Sequence, residues 1–158
     1  LMLADTALDK FANGKGSEHV DDGYFSEGGR GGCVHIATST GASIATTFIG
    51  AELTPKKERH CYNGALVEAA RLGKHPTHAS SWQSRDNAHL WHGGAVRSQS
   101  AIVSFEGFAD TLVNEAFALT VLQLGECMSE EEANRIAQIS LNPHANSIYI
   151  VVRRLIKS

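Results

Sequence analysis

WHGGAVRSQSAIVSFEGFADTLVNEAFALTVLQLG, residues Trp91 to Gly125, is the stretch on which the fold turns. After the Gly93-Gly94 turn it runs into an extended segment, Ser100 to Glu106, with Ala101, Val103 and Phe105 on one side and Ile102 and Ser104 on the other. So few polar residues predict a central strand covered on both faces. Gly107 breaks the segment and a helix starts near Asp110. In that helix Leu112, Val113, Ala116, Phe117, Val121 and Leu124 recur at spacings of three and four, and Gly125 ends it. The apolar stripe must lie on a sheet, which makes it core and not a cofactor box.

Upstream, Cys33–Thr38 and Ser43–Gly50 are β-rich runs joined by Ser39, Thr40, Gly41 and Ala42, which predicts a β-hairpin. Val34 and Ile36 share one face of the first strand, and Ile44, Thr46 and Phe48 share one face of the second. His35, mid-strand on the other face, reads as a satisfied structural residue. Thr54 and Pro55 then mark a helix start, with a hydroxyl cap worth about 1 kcal/mol. The helix is expected from Pro55 to Leu72, with Tyr62, Leu66, Ala69 and Ala70 buried and Gly73 closing it. Lys56, Lys57 and Arg59 place positive charge where the helix dipole is already positive, at about a few tenths of a kcal/mol each. A bound anion would reverse that sign. Solvated surface lysines are the plainer reading.

Downstream, Ser129 and Glu132 form a capping box for a helix from Glu130 to about Ser140, stopped by Asn142-Pro143. Ser147–Ile156 reads as a last strand, with Arg153 and Arg154 as edge charges. At the other end, Leu3, Ala7, Leu8 and Phe11 give Met2–Ala12 a helical spacing. Gly14–Gly32 is glycine-rich and reads as a loop; its glycines precede a strand, so they do not fit a phosphate cradle between strand and helix. The expected organisation is one domain over residues 1–158, with a glycine-rich N-terminal segment (1–32) and a core (33–158).

Composition narrows the function classes. With 158 residues, 42% hydrophobic and 20% charged, the chain has the make-up of an ordinary globular domain. Fourteen basic against seventeen acidic residues give a net charge of −3, which argues against nucleic acid and anionic membranes as partners. Cys33, Cys61 and Cys127 are widely spaced with no C-x-x-C, and read as free thiols of a cytoplasmic protein. No apolar run has the length of a membrane span.

The most chemically suggestive region is Lys74–His92, which holds His75-Pro-Thr-His78 and His89-Leu-Trp-His92. Two H-x-x-H pairs are candidate ligands for a metal, His75, His78, His89 and His92, or for an iron porphyrin. Structural zinc sites favour cysteine, and Pro76 disturbs the first pair, so an all-histidine zinc site is the weaker version. Ser80 or Ser81 beside a histidine would make a nucleophile pair, yet no G-x-S-x-G elbow is present. The catalytic residues, and whether there is a reaction at all, stay open.

The helix with KKERHCYNGAL, the following SSW, the HGGAVR turn and the run IVSFEGFADTLVNEAFAL together resemble the GlcG/HbpS-like family, of the haem-binding DUF336 type, which includes the C-terminal domain of the PduO adenosyltransferase. The counterparts of its motifs are Lys56, Lys57 and Arg59, then Gly93 and Gly94, then Ser104 to Gly107 and Asp110. The likeness spans roughly Cys33 to Leu124. The chain departs from the family in its glycine-rich start and in reading Val-Ser-Phe-Glu-Gly where the family has Val-Ser-Gly. The resemblance implies an α/β (α+β) fold, a profilin-like three-layer α/β/α sandwich with a mainly antiparallel sheet. It also implies a non-enzymatic, homo-oligomeric domain that binds a small molecule, haem or a corrinoid-related ligand. No axial ligand is carried over from the family; on this chain's own residues, a basic helix start for propionates and a loop histidine for iron, the cofactor-binding residues would be Lys56, Lys57, Arg59, His75, His78, His92, Gly93 and Gly94. Two alternatives stand beside it: an enzyme with a metal or general acid/base site in the histidine-rich loop 75–92, and a structural or adaptor protein.

Overall fold

The computed structural model describes residues 25–51, 53–86 and 93–157, together with Met2, Ala4, Thr6 and Leu8. Strands β1 (Arg30–Ala37), β2 (Ser43–Ala51), β3 (Ala95–Arg97) and β4 (Ile102–Glu106) form one antiparallel sheet in the order β2-β1-β4-β3. Helix α1 (Pro55–Gly73), a 3₁₀ turn (Ser81–Ser84), and helices α2 (Thr111–Leu124), α3 (Glu130–Ser140) and α4 (Ala145–Lys157) complete the described elements. The fold is α+β, as expected.

β4 is central and all five of its residues are buried. Alternation sorts them: Val103 and Phe105 join the main core with α2, whereas Ile102 packs with Ala37, Ala95 and the α1 residues Ala69 and Leu72. The hairpin forms as predicted, but β1 starts at Arg30, three residues earlier than its apolar pattern. Glycine makes that extension fit, because a Cβ on Gly32 would lie 2.2 Å from the Glu106 carbonyl oxygen of the adjoining strand. His35 is a satisfied structural residue, with Nδ1 2.7 Å from Thr46 Oγ1.

Asp110 caps α2 by accepting from the Leu112 N–H at 2.8 Å. The helix is buried from Val113 to Thr120, on more sides than one stripe, because α4 packs on it as well as the sheet. Its Phe117 ring stands 4.5 Å from Phe105 and 5.9 Å from Phe108, centroid to centroid, in tilted and edge-on geometries. Ser129 caps α3 through the Glu132 N–H, as the capping box predicts.

Two expectations are corrected. Ser147–Ile156 is not a strand but most of α4, which runs Ala145–Lys157. Its run of Ile, Tyr and Val fits a strand by propensity, yet Ala145, Ile148 and Val152 also recur at three and four, and that face is buried against α2. A strand would have set Ile150 beside Ile148 and Val152; Ile150 is instead 45% exposed. Arg153 and Arg154 are exposed helix residues, with the Arg153 guanidinium 5.7 Å from the Tyr149 ring centre. The second correction concerns which side of α1 is buried. Tyr62 and Ala70 are exposed and Leu66 half-buried, while Lys57, Cys61, Ala65, Glu68, Ala69, Arg71 and Leu72 are buried. Small residues on this face let the helix lie close to the sheet, and its polar residues find partners inside.

At the N-terminus Met2, Ala4, Thr6 and Leu8 are helical, and Ala4 and Leu8 are in the main core. Leu3, Ala7, Phe11 and residues 14–24 of the glycine-rich segment lie outside the described residues. Among the described residues no helix is long and apolar enough to cross a membrane. Because Phe117 fills the space between β4 and α2, we expect Phe117→Ala to destabilise the fold by about 3–5 kcal/mol, read from denaturant midpoints.

Candidate functional site

Among the described residues, the first turns of α1 carry an open site. Thr54 caps the helix: its Oγ1 accepts from Lys57 N at 3.3 Å, and its carbonyl accepts from Glu58 N at 2.9 Å. Pro55 has no N–H to give. With those groups engaged, an anion here would rely mainly on side chains. Lys57 turns inward and is buried, with Nζ donating to the carbonyls of Ser26 (2.9 Å) and Gly29 (2.5 Å) and lying 5.5 Å from the Phe25 ring centre. It clamps the segment before β1. Lys56, Arg59 and His60 are exposed. They line two surface cavities that share Lys56 and His60. One, of about 290 Å³, is walled by Ser26–Gly28, Thr54 and Lys57; the other, of about 270 Å³, by Arg59 and Asn63.

Behind His60 stands Glu106, at the end of β4 and on the face covered by α1. Its Oε1 is 3.8 Å from His60 Nε2, and its Oε2 accepts from Asn114 Nδ2 at 3.3 Å. The Asn114 carbonyl oxygen in turn accepts from the N–H groups of Gly107 (3.2 Å) and Phe108 (2.9 Å). Burial pushes the Glu106 carboxyl up to about 7, against the opposing pull of the Lys57 charge. Burial also pushes the Cys61 and Cys33 thiols up to about 11 and about 12, so both are protonated at neutral pH and are poor nucleophiles.

Two more glutamates are buried deeper. Glu68 accepts from Ser81 Oγ at 2.8 Å, and the same hydroxyl oxygen accepts from the N–H groups of Gly94 and Ala95, each at 3.0 Å. Burial raises Glu68 to about 8, although the Ser81 hydrogen bond and Arg71, 3.8 Å away, pull it down. Glu115 on α2 accepts from Ser80 Oγ (2.5 Å) and Asn142 Nδ2 (3.0 Å), and burial raises its pKa too. The two serines therefore tie the 3₁₀ turn to both helical layers, and neither is exposed. The Gly93-Gly94 turn serves the same packing: a Cβ on Gly94 would meet Phe105 O at 2.9 Å and Glu68 Oε2 at 3.0 Å.

The histidines are elsewhere. His75 and His78 form a turn in which their rings stack, 4.8 Å apart and 13° from parallel. Lone pairs lying in near-parallel ring planes do not converge on one ion. Arg97 fastens this turn, donating to the carbonyls of His78 (3.0 Å), His75 (3.3 Å), Leu72 and Ser39. His89 and His92 lie outside the described residues, and among the described ones no three His, Cys, Asp or Glu side chains cluster to hold a metal. Lys56, Lys57 and Arg59 begin α1, whereas His75 and His78 follow its end, about 27 Å away at the helical rise. The basic cluster and these two histidines thus do not meet at one haem group.

Scans of protein-family models, curated proteins and solved structures each find no match. The site therefore rests on its own residues. Of those, Glu68, Glu106, Glu115, His60 and Asn114 were given no role by the sequence reading, although all but Glu68 lie in the runs that carry the resemblance; the sequence signal that could have found one is an acid, Glu106, in the mainly apolar run IVSFEGF.

A carboxyl whose pKa is raised by folding holds a proton that the unfolded chain releases above about 4.5, so stability falls as pH rises toward the folded value. Glu106→Gln has no such proton to lose. We expect it to gain on the wild type by on the order of 3 kcal/mol between pH 5 and pH 8 in urea denaturation. A constant difference across that range would contradict the raised value.

Proposed function

We propose that this chain is a small-ligand-binding domain whose ligand is an anion, a carboxylate or a phosphate, held over the first turns of α1 by Lys56, Arg59 and His60. The observation that carries this reading is the pair of cavities sharing Lys56 and His60, with a third basic residue, Arg59, on the wall. Charge of this sign is unfavourable at a helix start until an anion is present. Lys57 supports the site from beneath by holding the Ser26–Gly29 wall. The resemblance to GlcG/HbpS-like proteins points the same way, toward a non-enzymatic binding domain that assembles into homo-oligomers. Haem, whose propionates are acidic, belongs to this ligand class. A smaller anion suits the size better, since 290 Å³ is at the lower edge of the roughly 300–1,000 Å³ of small-molecule pockets.

The test is calorimetric titration of the purified chain with sulfate, phosphate and a small dicarboxylate. We expect saturable binding that Lys56→Ala combined with Arg59→Ala weakens by roughly tenfold or more, because hydrogen bonds to charged groups are each worth about 1.5–3 kcal/mol. Absence of saturable binding by all three would rule the reading out in favour of a structural or adaptor role.

A further inference from the structure

Glu106 lies one side chain away from the proposed anion site. His60 stands between them, with a side chain 69% exposed in the cavities and Nε2 3.8 Å from a carboxyl group that is 12% exposed. An anion in the cavity and an ionised Glu106 would place two negative charges across one imidazole, and burial on the Glu106 side leaves their repulsion only partly screened by water. A protonated Glu106 removes that conflict. We infer that anion binding over the first turns of α1 is coupled to the uptake of one proton by Glu106, so that the site takes its ligand together with a proton. The inference rests on the anion-binding reading and adds its regulation by pH.

The geometry also says which oxygen takes the proton. The Asn114 amide cannot turn round, because its oxygen already accepts from the N–H groups of Gly107 and Phe108; its NH₂ therefore faces Glu106 and keeps Oε2 as an acceptor. That leaves Oε1, the oxygen nearer His60 and the cavity. The titratable groups facing Glu106 are Lys57, His60, Cys61 and Glu68 from α1 and Cys33 from β1, while α2 contributes the neutral Asn114. The thiols hold their protons throughout the neutral range. Lys57 is bound to two carbonyls, and Glu68 to Ser81 and Arg71. Glu106, ionising near 7, is the carboxyl nearest to His60 and poised to change charge when an anion arrives.

The experiment is calorimetric titration of the full chain with sulfate, which does not itself titrate near neutral pH, in buffers of different ionisation heats. At pH 7.5 the wild type is expected to take up about half a proton or more per sulfate, with affinity falling severalfold from pH 6.5 to pH 8.5. Glu106→Gln should bind sulfate with no uptake and no such pH dependence; His60→Ala, which removes one of the side chains holding the anion, should bind sulfate more weakly while keeping the proton uptake per sulfate bound. Wild-type binding without proton uptake overturns the coupling and leaves the anion site standing; uptake retained in Glu106→Gln and lost in His60→Ala overturns its assignment to Glu106. Failure to bind sulfate overturns the site and the coupling together. An infrared difference spectrum of the wild type needs no variant: sulfate should raise the protonated-carboxyl band, and an unchanged band counts against the coupling.

Discussion

Three carboxyl groups, Glu68, Glu106 and Glu115, are withdrawn from water between the sheet and the helices, and much of the structure is arranged around accommodating them. An ionised carboxylate alone in such a place is prohibitively unfavourable, so the group must be hydrogen-bonded, paired or protonated. Here each is given donors: Ser81 for Glu68, Ser80 and Asn142 for Glu115, Asn114 for Glu106. Arg71 adds a guanidinium 3.8 Å from Glu68. Burial dominates in all three, and their pKa values rise.

Several features that look unrelated follow from this constraint. The Ser80-Ser81 turn is pinned from both sides of the sheet, which fixes where the chain enters β3. A side chain at Gly94 would run into the Phe105 carbonyl and the Glu68 carboxyl group. Asn114 is buried on α2 because it bridges the turn after β4 and the carboxyl group at the end of that strand. Glu106, the most peripheral of the three, is the one close to solvent through His60, which makes the first turns of α1 a place where buried charge and bound ligand interact.

The parts of the fold that were legible in the sequence are those set by local rules. The Thr54, Asp110 and Ser129 caps, the hairpin and the central strand depend on residues within a few positions of one another, and each formed, though the hairpin begins earlier, at Arg30, and the central strand later, at Ile102, than their apolar patterns place them. The C-terminal run was misread because its β-branched residues satisfy two periods at once, and only packing against α2 chooses between them. The buried side of α1 was misread because it carries Lys57, Glu68 and Arg71, whose partners come from sequence positions 10 to 31 residues away. For the same reason the site was half-visible. A basic helix start can be seen in a sequence, whereas a glutamate 46 positions further on, facing the histidine at 60, cannot. The histidine pair that drew attention is a stacked turn held by Arg97.

The most direct test of this account is a carbon-13 NMR titration of the side-chain carboxyl groups in uniformly glutamate-labelled protein, assigned with single Glu→Gln variants. Glu106 should change charge near pH 7 and Glu68 near pH 8, well apart from the surface glutamates. Titration of both in the ordinary range, around 4.3, would mean that these carboxylates are ionised and solvated at neutral pH, and would contradict the arrangement described.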